Sequence, residues 1–249
     1  MIPRKIRRFF RRPALKVLRL VRNWLFNRRV LARLRRCTNV LCIGDSNVLI
    51  LRDIDLGSVW LHRFILGGAT VSGLENPIEE ALPSELILPR LSRARPWHQV
   101  LYKLGGVDCT FVLWHHARER GLDVQDLFQV AVDGYSELIR RTIAMGFRRV
   151  LVVSPPLPTM GDSERPRNPR GSVDATQQER TQLILQFNAA IETRCRELGA
   201  IFVDVTTEQL DPNTGLIARR FVREDTRNNH LAVEPYRELV AGKLAALDW

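Results

Sequence analysis

Between Met1 and Arg36 the chain has no aspartate and no glutamate, while arginine and lysine recur throughout. A segment of one sign cannot neutralise itself. The formal net charge of +11 over 249 residues therefore belongs to this amino-terminal arm, and the remainder is close to neutral or slightly acidic. Cysteine is sparse: Cys37, Cys42, Cys109 and Cys195 show no CxxC or metal-finger spacing. That pattern argues for free, buried thiols in a reducing compartment and against a disulfide framework. There is no run of about 20 uncharged apolar residues, so no helix is expected to span a bilayer. Internal repeats are absent as well.

Hydrophobic content of 45% and charged content of 26% suit a soluble globular protein, and the length allows one sizeable α/β core. We divide the chain into an arm, residues 1–37, and a globular domain, residues 38–249. In the arm, leucines, valines and Trp24 alternate with arginine at about helical spacing from Pro13 onward, which predicts a basic amphipathic helix. Four readings compete for it. It lies on an anionic membrane surface, it binds a polyanion such as nucleic acid or an acidic polysaccharide, it is a targeting sequence, or it packs on its own domain with a solvated basic face. Arg11-Arg12 loosely resembles a twin-arginine export signal, but Arg19, Arg22 and Arg28 break the hydrophobic region such a signal needs. A cytoplasmic protein, peripheral on the membrane in the first of these readings, is expected.

The globular domain is organised around Asn39 to Ser46, NVLCIGDS. Val40 to Ile43 reads as a short buried strand that stops at Gly44 and delivers Asp45 and Ser46 to a turn, with helix-compatible sequence following. Ser46 either caps that helix or stands at the carboxyl end of a parallel strand, where ligands bind. SVWLHRFIL reads as a second strand ending at Gly67-Gly68-Ala69-Thr70. Residues 72–106 form a looser connection. Cys109 to Trp114 (CTFVLW) reads as a central third strand, followed by His115-His116. Adjacent histidines on a strand face opposite ways and have no acidic or cysteine partner at matching spacing, so no metal is expected there, and no other cofactor.

Beyond these, Asp126 to Met145 predicts a helix, RRVLVVS a fourth strand, and Thr176 to Leu198 a second long helix. Ala200 to Val205 predicts a fifth strand and Ala232 to Leu247 a closing helix. Between the fourth strand and its helix, residues 157–174 are rich in Pro, Gly, Arg and Ser, and form either a mobile segment or part of a substrate lid. Strands alternating with helices argue for a parallel sheet covered on both faces, a three-layer α/β/α sandwich.

GDS after a hydrophobic strand, a glycine block after the second strand, a polar cluster after the third and His230 in NNHL together resemble the SGNH, or GDSL-like, hydrolases, over about Asn39 to Trp249. The resemblance implies five parallel strands in flavodoxin-like order and an esterase acting on an acyl ester of a carbohydrate or lipid. It also implies roles. Ser46 is the nucleophile and His230 its base, with Asp225 as possible orienter, because the family's aspartate position three residues before the histidine is occupied by Arg227; Asn228 is a weaker orienter. The oxyanion hole takes N–H groups from Ser46 and from Gly68, chosen over Gly67. Its third donor, an asparagine in a block written GxND, is replaced by His116 or His115, with His116 the better alignment, or has been lost. The competing reading is a non-catalytic module that kept the fold and binds a membrane or polyanion through its arm.

Overall fold

The computed structural model describes residues 38–74, 87–94, 99–162, 173–225 and 229–249. The arm and its expected helix lie outside the described residues, as does Cys37. The other three cysteines are free and buried. Among the described residues, no helix is long and apolar enough to cross a membrane.

Five strands form one parallel sheet: β1 (Thr38–Gly44), β2 (Val59–Ile65), β3 (Gln99–Lys103), β4 (Val150–Val153) and β5 (Ile201–Val203), in the order β2-β1-β3-β4-β5. This is the flavodoxin-like order. The helices are α1 (Ile87–Ser92), α2 (Leu113–Arg120), α3 (Val124–Ala144), α4 (Gln177–Leu198) and α5 (Val233–Ala245). They cover both faces of the sheet, with α2, α3 and α4 packed together and α5 against a 3-10 helix over Ser46–Leu51. β1, β3 and β4 are sandwiched between these layers, so they are almost wholly buried, and β4 is apolar throughout.

Local signals set the helix ends. Thr176 caps α4 by accepting from the Glu179 N–H at 3.1 Å while the Glu179 carboxylate accepts from the Thr176 N–H at 2.7 Å, a reciprocal capping box. Asp123 caps α3 through the Gln125 N–H at 2.8 Å.

One expected element is elsewhere. Residues 109–114 are not a strand: Asp108–Val112 forms one π-helical turn that runs directly into α2. Cys109, Val112, Leu113 and His116 are buried, at the 3-and-4 spacing of one helix face. The third strand is Gln99–Lys103, QVLYK, whose polar ends hide it in the sequence.

Candidate active site

β1 and β3 run side by side with Gly44 opposite Lys103, and the chain leaves β1 at the carboxyl edge of the sheet. A Cβ on Gly44 would stand 2.1 Å from the Lys103 carbonyl oxygen, so only glycine lets the strands close up at this point. Asp45 then caps the 3-10 helix. Its carboxylate accepts from the Asn47 N–H at 2.7 Å and from Asn47 Nδ2 at 2.9 Å, and its own N–H donates to the Lys103 carbonyl at 3.3 Å. Ser46, half-buried, is the first helical residue, where a backbone N–H has no partner within the helix.

His230 reaches this turn from the far end of the chain. Its Nε2 lies 3.0 Å from Ser46 Oγ, across 184 residues of sequence. Two short segments hold it there: Val222 and Leu231 form an antiparallel bridge, and the Ala232 N–H donates to the Phe221 carbonyl at 2.8 Å. Asp225 lies half-buried in the loop that leads to His230. Residues 226–228, Asn228 included, are outside the described residues.

The block expected after the third strand follows β3. β3 continues into Leu104 and then Gly105-Gly106-Val107-Asp108, which is the GxND pattern with valine in place of asparagine. Val107 lines the cleft at Ser46 and His230, and its side chain has no donor. His116, the expected third donor, is not at a strand end: it is buried on α2, its ring edge-on to that of His115, and neither histidine is among the residues lining that cleft. Helical winding of 108–120 carried both away from the position a strand would have given them.

Asp108 does structural work that the sequence did not reveal. Fully buried, it accepts from the Val71 N–H at 3.0 Å, the Ser72 N–H at 3.1 Å and the Ser72 hydroxyl at 2.6 Å. Burial pushes its carboxyl up to about 6, against the pull of these donors. Asp108 thus ties the loop after β2 to the end of β3. Gly68 lies in that loop, buried with φ 64°, while Gly67 is exposed. Gly44 pairs with Ile65 in register, so Gly68 and Ser46 leave adjacent strands at the same edge.

Beneath the serine turn sits a second feature missed in the sequence. Lys103 is buried, its Nζ donating to the Ser154 carbonyl at 3.1 Å and lying 5.1 Å from the centre of the Tyr236 ring. Burial lowers its pKa to about 8, and the Asp45 carboxylate resists that fall. Asp45 therefore caps the serine helix and faces a buried cation.

Ser46, Asn47 and His230 line two pockets. The first is floored by Gly106, Val107 and Thr110, and walled by 156–160. That wall is fixed from behind: Gln209 accepts from the Leu157 N–H at 3.0 Å, and the buried Arg180 donates to the Met160 carbonyl at 2.7 Å. The second, about 120 Å3, is lined chiefly by Leu49, Ile50, Leu231 and Val233, together with Arg223 and Tyr236. Among the described residues no cluster of His, Cys, Asp and Glu is arranged to hold a metal ion.

Solved hydrolases share this architecture. The chain is similar to the aryl esterase of M. smegmatis, with 16% identity, a TM-score of 0.55, and 85% of this chain and 100% of that one covered. It is also similar to a GDSL-like lipase from Bacteroides thetaiotaomicron VPI-5482, with 13% identity, a TM-score of 0.53, and 83% and 85% covered. A third likeness is to Axe2, an acetylxylan esterase from Geobacillus stearothermophilus, solved as a catalytic mutant, with 13% identity, a TM-score of 0.50, and 85% and 95% covered. No protein-family model matches the chain, and no curated protein matches it. The fold is that of the SGNH, or GDSL-like, hydrolases.

Proposed function

We propose that the protein is a serine esterase that hydrolyses an acyl ester of a carbohydrate or lipid. The observation that carries this reading is the 3.0 Å contact between Ser46 Oγ and His230 Nε2 at the carboxyl edge of the sheet. A serine hydroxyl is a weak nucleophile until a base takes its proton. His230 accepts that proton as Oγ attacks the ester carbonyl carbon, and returns it to the leaving alkoxide when the tetrahedral intermediate collapses. Water, activated by the same imidazole, then releases the acid. Asp225 orients the imidazole. The N–H groups of Ser46 and Gly68 receive the oxyanion, with no asparagine as a third donor because Val107 occupies that position.

The arm, residues 1–36, holds the enzyme on an anionic membrane surface or another polyanion through its arginines. In this reading the protein is cytoplasmic and peripheral. One observation favours a second reading, a non-catalytic module: the valine at position 107 removes a donor that catalysis of this kind uses. Hydrolysis of 4-nitrophenyl butyrate separates the two. The esterase loses turnover in Ser46→Ala, and by about 10²-fold or more in His230→Ala. The module shows no turnover in the wild type.

A further inference from the structure

Arg223 lines the apolar pocket beside Ser46, and no hydrolytic step described above uses it. Its Nε–H donates to the Leu231 carbonyl at 2.8 Å, so the segment that carries His230 also fixes the plane of this guanidinium. Arg118, Arg140, Arg194 and Arg237 each pair with a carboxylate, whereas Arg223 meets none among the described residues. Its two Nη groups are therefore uncommitted to any described carboxylate. The walls around it are apolar and open: Leu49 is 50% exposed and Val233 37% exposed. Tyr236, deeper in the same pocket, has a buried hydroxyl with no hydrogen-bond partner among the described residues. Burial raises its pKa, which keeps it a donor.

A planar fork of N–H donors matches the two oxygens of a carboxylate, and apolar walls strengthen such a pair by excluding water. We propose that the pocket of Leu49, Ile50, Leu231 and Val233 binds an ester that carries a carboxylate, with Arg223 as the residue that recognises it. This rests on the esterase reading of Ser46 and His230 and adds the charge of the substrate. The carboxylate belongs either to the acyl group or to the alcohol, and the pocket's position beside both reacting residues allows each.

The test uses the full chain and three esters: neutral 4-nitrophenyl butyrate, mono-4-nitrophenyl adipate with its charge on the acyl side, and 4-carboxyphenyl butyrate with its charge on the alcohol side. Arg223→Gln is expected to lower kcat/KM for one of the anionic esters about 10- to 100-fold more than for the neutral ester, the scale of one charge-assisted hydrogen-bonded pair. The affected ester tells which side carries the carboxylate. In the wild type, added NaCl should depress kcat/KM for that ester and spare the neutral one, a readout that does not depend on how the variant folds. Equal losses on all three esters, together with no selective salt effect, would overturn the proposal.

Calorimetric titration of adipate and of 4-carboxyphenyl acetamide, a non-hydrolysable mimic, into Ser46→Ala protein separates the two readings. Binding of either that Arg223→Gln abolishes, without turnover of any ester, upholds the anion site and rejects the esterase. Turnover of the neutral ester, with neither binding nor discrimination, does the reverse.

Discussion

Gly134, at the middle of α3, lies so close to Val71 that a Cβ on it would stand 2.2 Å from the Val71 carbonyl oxygen. Val71 is the residue whose N–H is held by Asp108, so α3, the loop after β2 and the end of β3 meet at one point behind the candidate site. An alanine in place of glycine inside a helix normally gains about 0.5–1 kcal/mol. Here the backbone contact overrides that gain, and Gly134→Ala is expected to destabilise the protein, read as a lower midpoint in urea at unchanged slope. A raised midpoint would mean that α3 can withdraw from the loop freely.

Lys103 gives the stability curve a specific slope. Its folded pKa, about 8, is below the 10.5 of an ordinary lysine, so between these values the unfolded chain binds more protons than the folded one. Stability from this group must therefore rise with pH across that window; the cost of burying the charge is fully present below about pH 8 and is relieved above it. Burial raises the Cys42, Cys109 and Cys195 thiols, which lowers stability toward pH 10 in the wild type and in Lys103→Met alike, so the difference in thermal midpoint, wild type minus Lys103→Met, is what should rise from pH 7.5 to 10. Parallel profiles would place the titrating group elsewhere.

In the proposed esterase, Val107 leaves the oxyanion hole without its third donor. One oxyanion donor is worth about 10²-fold or more in turnover. Val107→Asn should raise the turnover of an activated ester by about tenfold or more, since it supplies a donor in the cleft that Ser46 and His230 line. His116→Ala should change turnover little, because His116 is buried on α2 and is not among the residues lining that cleft. A large loss in His116→Ala, with no gain in Val107→Asn, would reverse this assignment.

Removal of residues 1–37 should leave a folded domain whose binding to anionic vesicles or heparin is weak and insensitive to salt, whereas the full chain binds and is released by salt. Salt-sensitive binding that survives the truncation would locate the basic surface on the globular domain.

Four strands and the three long helices were legible because their signals are local: VLCI before Gly44, VLVV before Ser154, and the capped, periodic runs of α3 and α4. The third strand was not, since Gln99 and Lys103 give QVLYK a polar outline, and the burial of a lysine against Ser154 and Tyr236 is a tertiary fact. CTFVLW offered an apolar run in its place. The buried set 109, 112, 113 and 116 has helical spacing, but in the sequence a run of six apolar or small residues satisfies either period. The GxND block follows β3 and not CTFVLW, so it falls at Val107 and Asp108, and His116 lies on α2 away from the cleft. Ser46 and His230 are legible as candidates because each stands next to an unambiguous element, and the fold brings them to 3.0 Å of each other. Arg223 had no signal of its own among so many arginines; only the Leu231 carbonyl and the apolar walls set it apart.

The central claim is that Ser46 is a nucleophile activated by His230. A fluorophosphonate probe, followed by intact mass and peptide mapping, tests it without knowledge of the substrate. The account predicts one adduct per chain on Ser46, absent in Ser46→Ala and formed far more slowly in His230→Ala. No adduct at any pH, or one that persists in Ser46→Ala, would contradict it.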